Sequence, residues 1–203
     1  MADFNAILED VYTITNARHL VNETISAVKS ATLQLHRREF FAKDLSEFTL
    51  QFPTEDYLQS IDYRVLFPRY RSVNYIRKYY ANVPTPSDGM GKFFTIITPS
   101  QVLDEYKTTR SDVAYVAGDL LNLRSSDKIQ YVTLGIYQNP DISTPENYKS
   151  WIADEAYYAV VYLAASIIFG SKLADTARQN ANMQLANIEM TEVINSNIVS
   201  KGE

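Results

Sequence analysis

Hydrophobic residues recur with a helical period near the start of the chain. Residues 3–14 are typical of a short helix capped by Asp3. On a helix template through residues 17–36, seven of nine inward positions are apolar and the other two are threonines. This pattern predicts an amphipathic helix of about five turns, with Asn16 as its N-cap.

After these helices the hydrophobic period changes to the alternation of β-strands. Residues 48–52 alternate in this way, and Pro53 is expected to end their strand. Gly118–Asp119 separates two apolar runs and suits a tight type II′ hairpin. The composition of residues 84–91 is typical of a loop, and a short helical turn is expected at 101–106. Further strands are predicted at 73–80, 93–98, 113–117, 120–124 and 129–137.

The helical period returns in the last third of the chain. A helix is predicted from Pro145 to Phe169, with Ser143 or Thr144 as its cap and Gly170 at its end. A final helix over 172–195 carries only a thin apolar stripe, so it gains little from burial within its own chain and needs a partner. The stripe consists of Leu173, Ala177, Ala181, Leu185 and Ile188.

The order of helices, strands and helices predicts an α+β fold. We expect a helical bundle formed by the N- and C-terminal helices, with an inserted antiparallel β-rich region. The expected divisions are a helical core of residues 1–44 plus 141–195, a β-rich insertion of residues 45–140 and a flexible C-terminal tail of residues 196–203. A chain of 203 residues, 46% of them hydrophobic, can bury a core of this kind.

Residues 156–169 form a run of fourteen residues without a charge. As a helix this run rises about 21 Å, which is too short for a bilayer core that needs about twenty residues. No membrane contact is therefore expected. A helix that is apolar on nearly every face must be covered nearly all round. Tyr157, Tyr158 and Tyr162 suit the edge of a protein contact, where the ring is buried and the hydroxyl reaches water. The side of this helix that its own chain does not cover is therefore a candidate for packing against a neighbouring copy.

Composition and charge restrict the classes of function. The net charge of −5 is mild and does not suggest general binding to nucleic acid or to a membrane surface. The absence of Cys excludes disulfides and thiolate chemistry. The acidic start of the chain is unlike a secretory signal, so we expect synthesis in the cytoplasm. The fifteen tyrosines fit either interfaces or half-buried strands.

No pattern in the sequence predicts catalysis, a metal site or a cofactor. His19 and His36 are about 25 Å apart along one predicted helix, too far for one metal ion. Gly89–Lys92 departs from the phosphate-loop pattern at both ends. Asp154–Glu155 are adjacent, so on a helix they do not face one substrate. No Ser–His–Asp arrangement is evident, and we expect the protein not to be an enzyme.

Basic and aromatic residues interleave over residues 60–80, which contain five basic residues and one acidic residue. Such a segment can bind single-stranded nucleic acid by stacking and charge. It can equally form a protein interface, and a basic strip facing an acidic neighbouring copy explains both its own charge and the more acidic remainder of the chain. The residues predicted at a subunit interface are Arg64, Arg69, Tyr70, Arg71, Arg77 and Lys78, together with the three tyrosines of residues 157–162.

Three segments resemble the head-to-tail connector, or adaptor, proteins of tailed bacteriophages. They are YVAGDLLNLRSSDKIQYVTLGIYQNP, NYKSWIADEAYYAVVYLAASIIFGSKLADTA and YRVLFPRYRSVNYIR. The resemblance lies in the order of their features. A pair of strands is followed by a proline, and a Trp stands at the start of a long apolar helix. A short interruption then precedes a polar terminal helix rich in Ala and Asn. It covers residues 17–190 and includes no invariant signature motif.

The resemblance implies a non-enzymatic virion protein of the neck, with no cofactor. Such adaptors form a homo-oligomeric ring, commonly of twelve copies, beneath the portal protein. The ring extends the channel through which genomic DNA passes without specific binding, and it offers a docking surface to a tail or nozzle protein. The C-terminal segment in such proteins often embraces the portal. The residues that the resemblance assigns to portal binding are Asn180, Asn182, Leu185, Ile188, Asn195 and Ile198.

Overall fold

The computed structural model describes residues 3–80, 91–103 and 105–199. The chain is mixed α+β, with helices toward both ends and a sheet between them. It divides into a helical unit, Met1–Asp44 with Asn139–Glu203, and a sheet unit, Leu45–Gln138. Most of the loop predicted at 84–91 lies outside the described residues.

The helices of the described residues are α1 (Phe4–Thr15), α2 (Val21–His36), α3 (Tyr63–Leu66), α4 (Trp151–Glu155), α5 (Tyr157–Ser171) and α6 (Thr176–Val199). The strands are β1 (Leu45–Asp62), β2 (Tyr70–Tyr80), β3 (Lys92–Phe93), β4 (Thr95–Ile96), β5 (Val113–Ala117) and β6 (Leu120–Gln138).

One hydrophobic core holds the helical unit together and draws on α1, α2, α5 and α6. Helix α5 is its centre, because most of its residues are buried and it contacts each of the other three helices. The fully buried members include Ile7, Leu35, Ile168 and Phe169. Each such side chain stabilises the fold by about 1.5–3 kcal/mol through removal from water.

The N-terminal helices differ from the prediction at one cap. Asp3 caps α1 as predicted, with its carboxylate accepting a hydrogen bond from the backbone N–H of Asn5. The prediction that Asn16 begins the second helix is wrong. Asn16 instead ends α1 in the left-handed conformation, with φ 52° and its N–H donated to the carbonyl of Tyr12. Asparagine suits either end of a helix, so its identity alone did not distinguish the two roles.

The first C-terminal helices begin later than predicted. Thr144 and Asn147 lie in a turn, and α4 begins only at Trp151 with Ser150 as its cap. The helical conformation is interrupted at Ala156, which separates α4 from α5. Helix α5 continues through Gly170 to Ser171.

The last helix is also displaced from its predicted range. The carboxylate of Asp175 accepts from the N–H of Arg178, and α6 begins at Thr176. The helix reaches Val199, so residues 196–199 belong to it and not to a tail. Residues 200–203 lie outside the described part of the chain.

The sheet has the strand order β3-β2-β6-β5-β4, and β1 also pairs with β6, outside this linear order. Strands β1, β2 and β5 run antiparallel to β6. Strand β4 runs parallel to β5, with Thr95 opposite Val113. The sheet is therefore mixed, and the prediction of an antiparallel β-rich region is confirmed only in part. The long connection between Ile96 and Val113 allows the chain to return in the same direction.

Strand ends follow the local sequence in some places and not in others. The hairpin at Gly118–Asp119 is present, with Ala117 opposite Leu120 and Gly118 at φ 62°, as the first central residue of a type II′ turn requires. Pro53 does not end β1, because it lies at an irregularity of the ladder between Gln51 and Asp56 where no regular pairing is lost.

Three predictions for the sheet unit differ from the structure. The strand predicted at 93–98 is divided into β3, which pairs with β2, and β4, which pairs with β5. The strands predicted at 120–124 and 129–137 form the single strand β6. The turn predicted at 101–106 is instead a 3₁₀ turn at Pro99–Gln101.

Candidate functional site

The basic side chains of residues 60–80 are positioned by α3 and β2 in the sheet unit. Asp62 caps α3 by accepting a hydrogen bond from the N–H of Val65 at 3.1 Å. Arg64 forms an ion pair with Asp119 at 2.7 Å, and Arg69 donates to the side-chain oxygen of Gln138 at 3.3 Å. The guanidinium of Arg77 lies 5.0 Å from the ring centre of Phe93.

These contacts are all within the sheet unit, and Arg71 is half-buried and also has interactions of its own. Arg64 and Arg69 are exposed, and Arg71 and Arg77 are half-buried. The contacts of Arg64, Arg69 and Arg77 with neighbouring residues restrict how freely these side chains can reach a partner.

Lys78 is the exception among the predicted interface residues because its side chain is buried. Its ammonium group lies 2.5 Å from Asp112 and 3.0 Å from Asp127, and it donates to Ser125 at 2.8 Å. Burial by itself raises the pKa of Asp112, but hydrogen bonds from Lys78 and Ser126 outweigh it and lower the pKa to about 2. Lys78 thus holds strands together and is removed from the exposed strip.

Aromatic and apolar residues surround α3. The rings of Tyr63 and Tyr70 lie 4.2 Å apart at one side of a cavity of about 300 Å³. Burial, and then the proximity of Tyr63, raise the pKa of Tyr70 above its ordinary value. Val65 and Leu66 are exposed, and Leu120 is exposed on the strand that pairs with the residue before α3. Exposed apolar residues clustered in this way are typical of contact surfaces.

The three predicted tyrosines of the helical unit lie at the start of α5. The hydroxyl of Tyr157 donates to a carboxylate oxygen of Asp10 at 2.9 Å, which joins α5 to α1. Burial and the neighbouring Asp10 raise the pKa of Tyr157 above its ordinary value. Tyr158 is exposed and its ring stacks on that of Tyr162 at 5.7 Å. Tyr158 and Tyr162 therefore form the surface part of this group, and Tyr157 serves the core.

Helix α6 packs on the core with residues that lie outside the predicted apolar stripe. Ala186, Met190 and Val193 are buried, whereas Leu185 and Ile188 of the predicted stripe remain 42% and 63% exposed. The stripe that the sequence suggests is therefore the outer face of the helix, together with Ala177 and Ala181, which are also exposed. We call this exposed face, Ala177, Ala181, Leu185 and Ile188, the α6 stripe.

The residues predicted to bind the portal do not all lie on the exposed surface of α6. Asn180, Leu185, Ile188 and Asn195 are exposed. Asn182 is buried and donates to the carbonyl of Arg178, so it is not part of that surface. The side chain of Ile198 lies outside what the structure describes.

The structure brings together a Ser–His–Asp group that sequence reasoning missed. His36 Nδ1 lies 2.8 Å from Asp44, and its Nε2 lies 3.0 Å from the hydroxyl of Ser150. These distances match those of a hydrolytic triad. Ser150 is distant in sequence from His36 and Asp44, and Asp44 is the last residue of a 3₁₀ turn, Ala42–Asp44, whose position no local pattern indicates.

The environment of this group argues for a structural role. All three side chains are buried. The Ser150 hydroxyl accepts from the N–H of Ala153 and caps α4, and Trp151 donates to Asp44 at 2.7 Å. A nucleophile needs access to its substrate, and Ser150 lines neither the cavity beside α3 nor a second cavity of about 410 Å³ between α2 and α5. The group joins α2, α4 and the 3₁₀ turn before β1.

Within the described residues, no cluster of three or more His, Asp or Glu side chains could hold a metal ion. None of the helices in those same residues is sufficiently long and apolar to cross a bilayer. Comparisons with protein-family models and with curated proteins found no match to this chain.

Proposed function

We propose that this protein is a structural adaptor that assembles into a ring between the portal and the tail of a tailed bacteriophage. The observation that carries the proposal is the outward α6 stripe. Helix α6 has 24 residues and leaves Leu185 and Ile188 in contact with water. A long helix with large apolar residues on its outer face is stabilised by a partner.

The resemblance of three segments to phage connectors supports the same proposal. That resemblance implies a ring of twelve copies in the virion neck, bound to the portal protein and to a tail or nozzle protein. Genomic DNA passes through the channel without specific binding. The exposed apolar residues near α3 and the stacked pair Tyr158 and Tyr162 are further surfaces suited to neighbours in such an assembly. The role is non-enzymatic, in keeping with the closed environment of Ser150.

A nucleic-acid-binding module based on residues 60–80 is the weaker alternative. Lys78 is buried, and Arg64 and Arg69 have partners in their own unit. To neutralise the phosphates of a nucleic acid, these three side chains must first give up their contacts within the protein. The alternative predicts binding to single strands that weakens steeply with salt.

Electron microscopy of the purified protein, with and without the portal protein encoded in the same genome, tests the proposal. We expect closed rings, twelve-fold on the portal. A protein that stays monomeric at every concentration and does not associate with portal overturns it. Fluorescence anisotropy with single-stranded DNA at low and high salt is the parallel measurement, and we expect no salt-sensitive binding.

A further inference from the structure

Helices α2 and α5 leave an open groove of about 410 Å³ in the helical unit. Small residues of α2, Ser26 and Ser30 among them, form one wall, and Ile167 and Ile168 of α5 contribute apolar surface. The two charged residues of the lining, Glu23 and Lys172, lie 3.9 Å apart as an ion pair. The groove is thus lined by small and apolar groups without a net charge.

The α6 stripe has matching properties. Ten consecutive residues between Arg178 and Glu189 carry no charge, in a chain of which 21% is charged. From Ala177 to Ile188 the stripe extends roughly 16 Å, and the α2 wall of the groove from Asn22 to Ser30 extends roughly 12 Å. An apolar helix face of this length is the kind of ligand that a helical groove accepts.

The stripe does not fill the groove of its own chain, because α6 is already packed on α5 by another face. The hydroxyl of Ser166 donates to the carbonyl of Gln179 at 2.9 Å. A Cβ on Gly170 would lie 2.5 Å from the Gln179 side chain, which shows how closely the two helices approach. The face of α6 that continues from this contact is buried, and the stripe points away from it.

We propose that the α6 stripe of one copy docks into the α2–α5 groove of the next copy. The inference rests on the proposed ring function and names the partner of its exposed helix, which is a second copy of this chain. One copy offers the stripe and the other offers the groove, so the contact is head-to-tail. Contacts of this type form closed rings when the rotation between copies closes, and filaments when it does not.

A single contact of this kind is small. A stable interface usually buries about 1,600 Å² in total, and one short helix face in a groove buries less. Isolated pairs should therefore dissociate readily, whereas a closed ring gains a contact for every copy. Assembly should depend steeply on concentration or on a template.

Complementary variants test the head-to-tail contact. The stripe variant carries Leu185→Glu and Ile188→Glu, and the groove variant carries Ser26→Arg; all three positions are exposed. Each variant alone should remain monomeric by sedimentation velocity at concentrations where the wild type assembles. At high protein concentration a mixture should form a weak, reversible one-to-one dimer and nothing larger, because each pair contains only one intact stripe and one intact groove. Asn187→Glu, exposed on α6 outside the stripe, is the control and should assemble normally.

Disulfide trapping provides a second measurement. The chain has no Cys, so Ser26→Cys with Leu185→Cys introduces the only thiols. Oxidation should give a ladder of covalent oligomers on a non-reducing gel. Each single cysteine variant should give at most a dimer, and Ser26→Cys with Asn187→Cys should give no ladder.

The outcomes separate this inference from the proposed function. If the wild type forms rings but the mixture of variants stays monomeric and no ladder forms, the stripe–groove contact is wrong and the ring function stands. If the stripe variant still forms rings but loses portal binding, the portal covers α6 and the inference is overturned. A wild type that never self-associates and never binds portal overturns both.

Discussion

The ammonium group of Lys78 lies 2.5 Å from Oδ1 of Asp112 and connects β2 to the residue before β5. The Lys78 side chain is 3% exposed, whereas the carboxylates of Asp112 and Asp127 are 35% and 41% exposed. The cation is therefore enclosed, and the anions retain access to water. An unpaired charge is costly mainly where water cannot reach it. Removing a carboxylate should therefore reduce stability more than removing the Lys78 ammonium group.

Asp112→Asn should destabilise the protein more than Lys78→Met. The first substitution leaves an enclosed ammonium with one carboxylate fewer, and the second leaves carboxylates that water can solvate. We expect losses in the free energy of unfolding of about 2 and about 1 kcal/mol, measured by urea denaturation.

The backbone does not confound this comparison. Asp112 has a φ of 58°, a conformation that asparagine also accepts. If Lys78→Met were the more harmful substitution, the enclosed cation would not be the vulnerable partner.

Stability should fall in acid because of the same pair. The pKa of Asp112 is lowered from its ordinary 3.8 to about 2 in the folded protein. Since the folded pKa lies below the unfolded one, this stabilisation is complete above about pH 4 and is lost as the pH falls toward 2. The free energy of unfolding of the wild type should decline between pH 5 and pH 2.5 by more than that of Asp112→Asn. Equal declines in the two proteins would show that other carboxylates cause the loss of stability in acid.

Tyr157→Phe should weaken the joint between α1 and α5. The substitution removes the hydrogen bond to Asp10 and keeps the ring. We expect a loss of about 1 kcal/mol in the free energy of unfolding, measured by denaturation of the monomer. Tyr158→Phe is the matched control, because Tyr158 is exposed on the same helix, and it should change the stability of the monomer little. Equal effects would mean that the Asp10 contact is unimportant.

Ser150 should behave as a helix cap and not as a nucleophile. Ser150→Ala removes the acceptor for the N–H of Ala153 and should cost about 1 kcal/mol of unfolding free energy. A fluorophosphonate probe should leave the folded wild type unlabelled while it labels a serine hydrolase run in parallel. Ser143→Ala, at an exposed serine, should be nearly neutral. Labelling at Ser150 would instead favour the hydrolytic interpretation of the group.

Elements that depend on neighbouring residues were predicted well from the sequence. The cap at Asp3, the strand Val113–Ala117 and the turn at Gly118–Asp119 match the structure. Each depends on a capping carboxylate, on alternation or on the φ that glycine allows, and all of these act within a few residues. The parallel pairing of β4 with β5 was missed, because it depends on how a long connection crosses the sheet.

Sequence alone determined that helices lie on both sides of an extended middle segment and that the last helix carries an apolar stripe. Only the tertiary structure decided which face of that helix is buried. Residues 182–193 contain a second set of small and apolar positions, and the close approach of Gln179 to Gly170 turns that set toward α5. The meeting of His36 with Ser150 was decided in the same way. Contacts between distant segments depend on packing, which local periodicity does not encode.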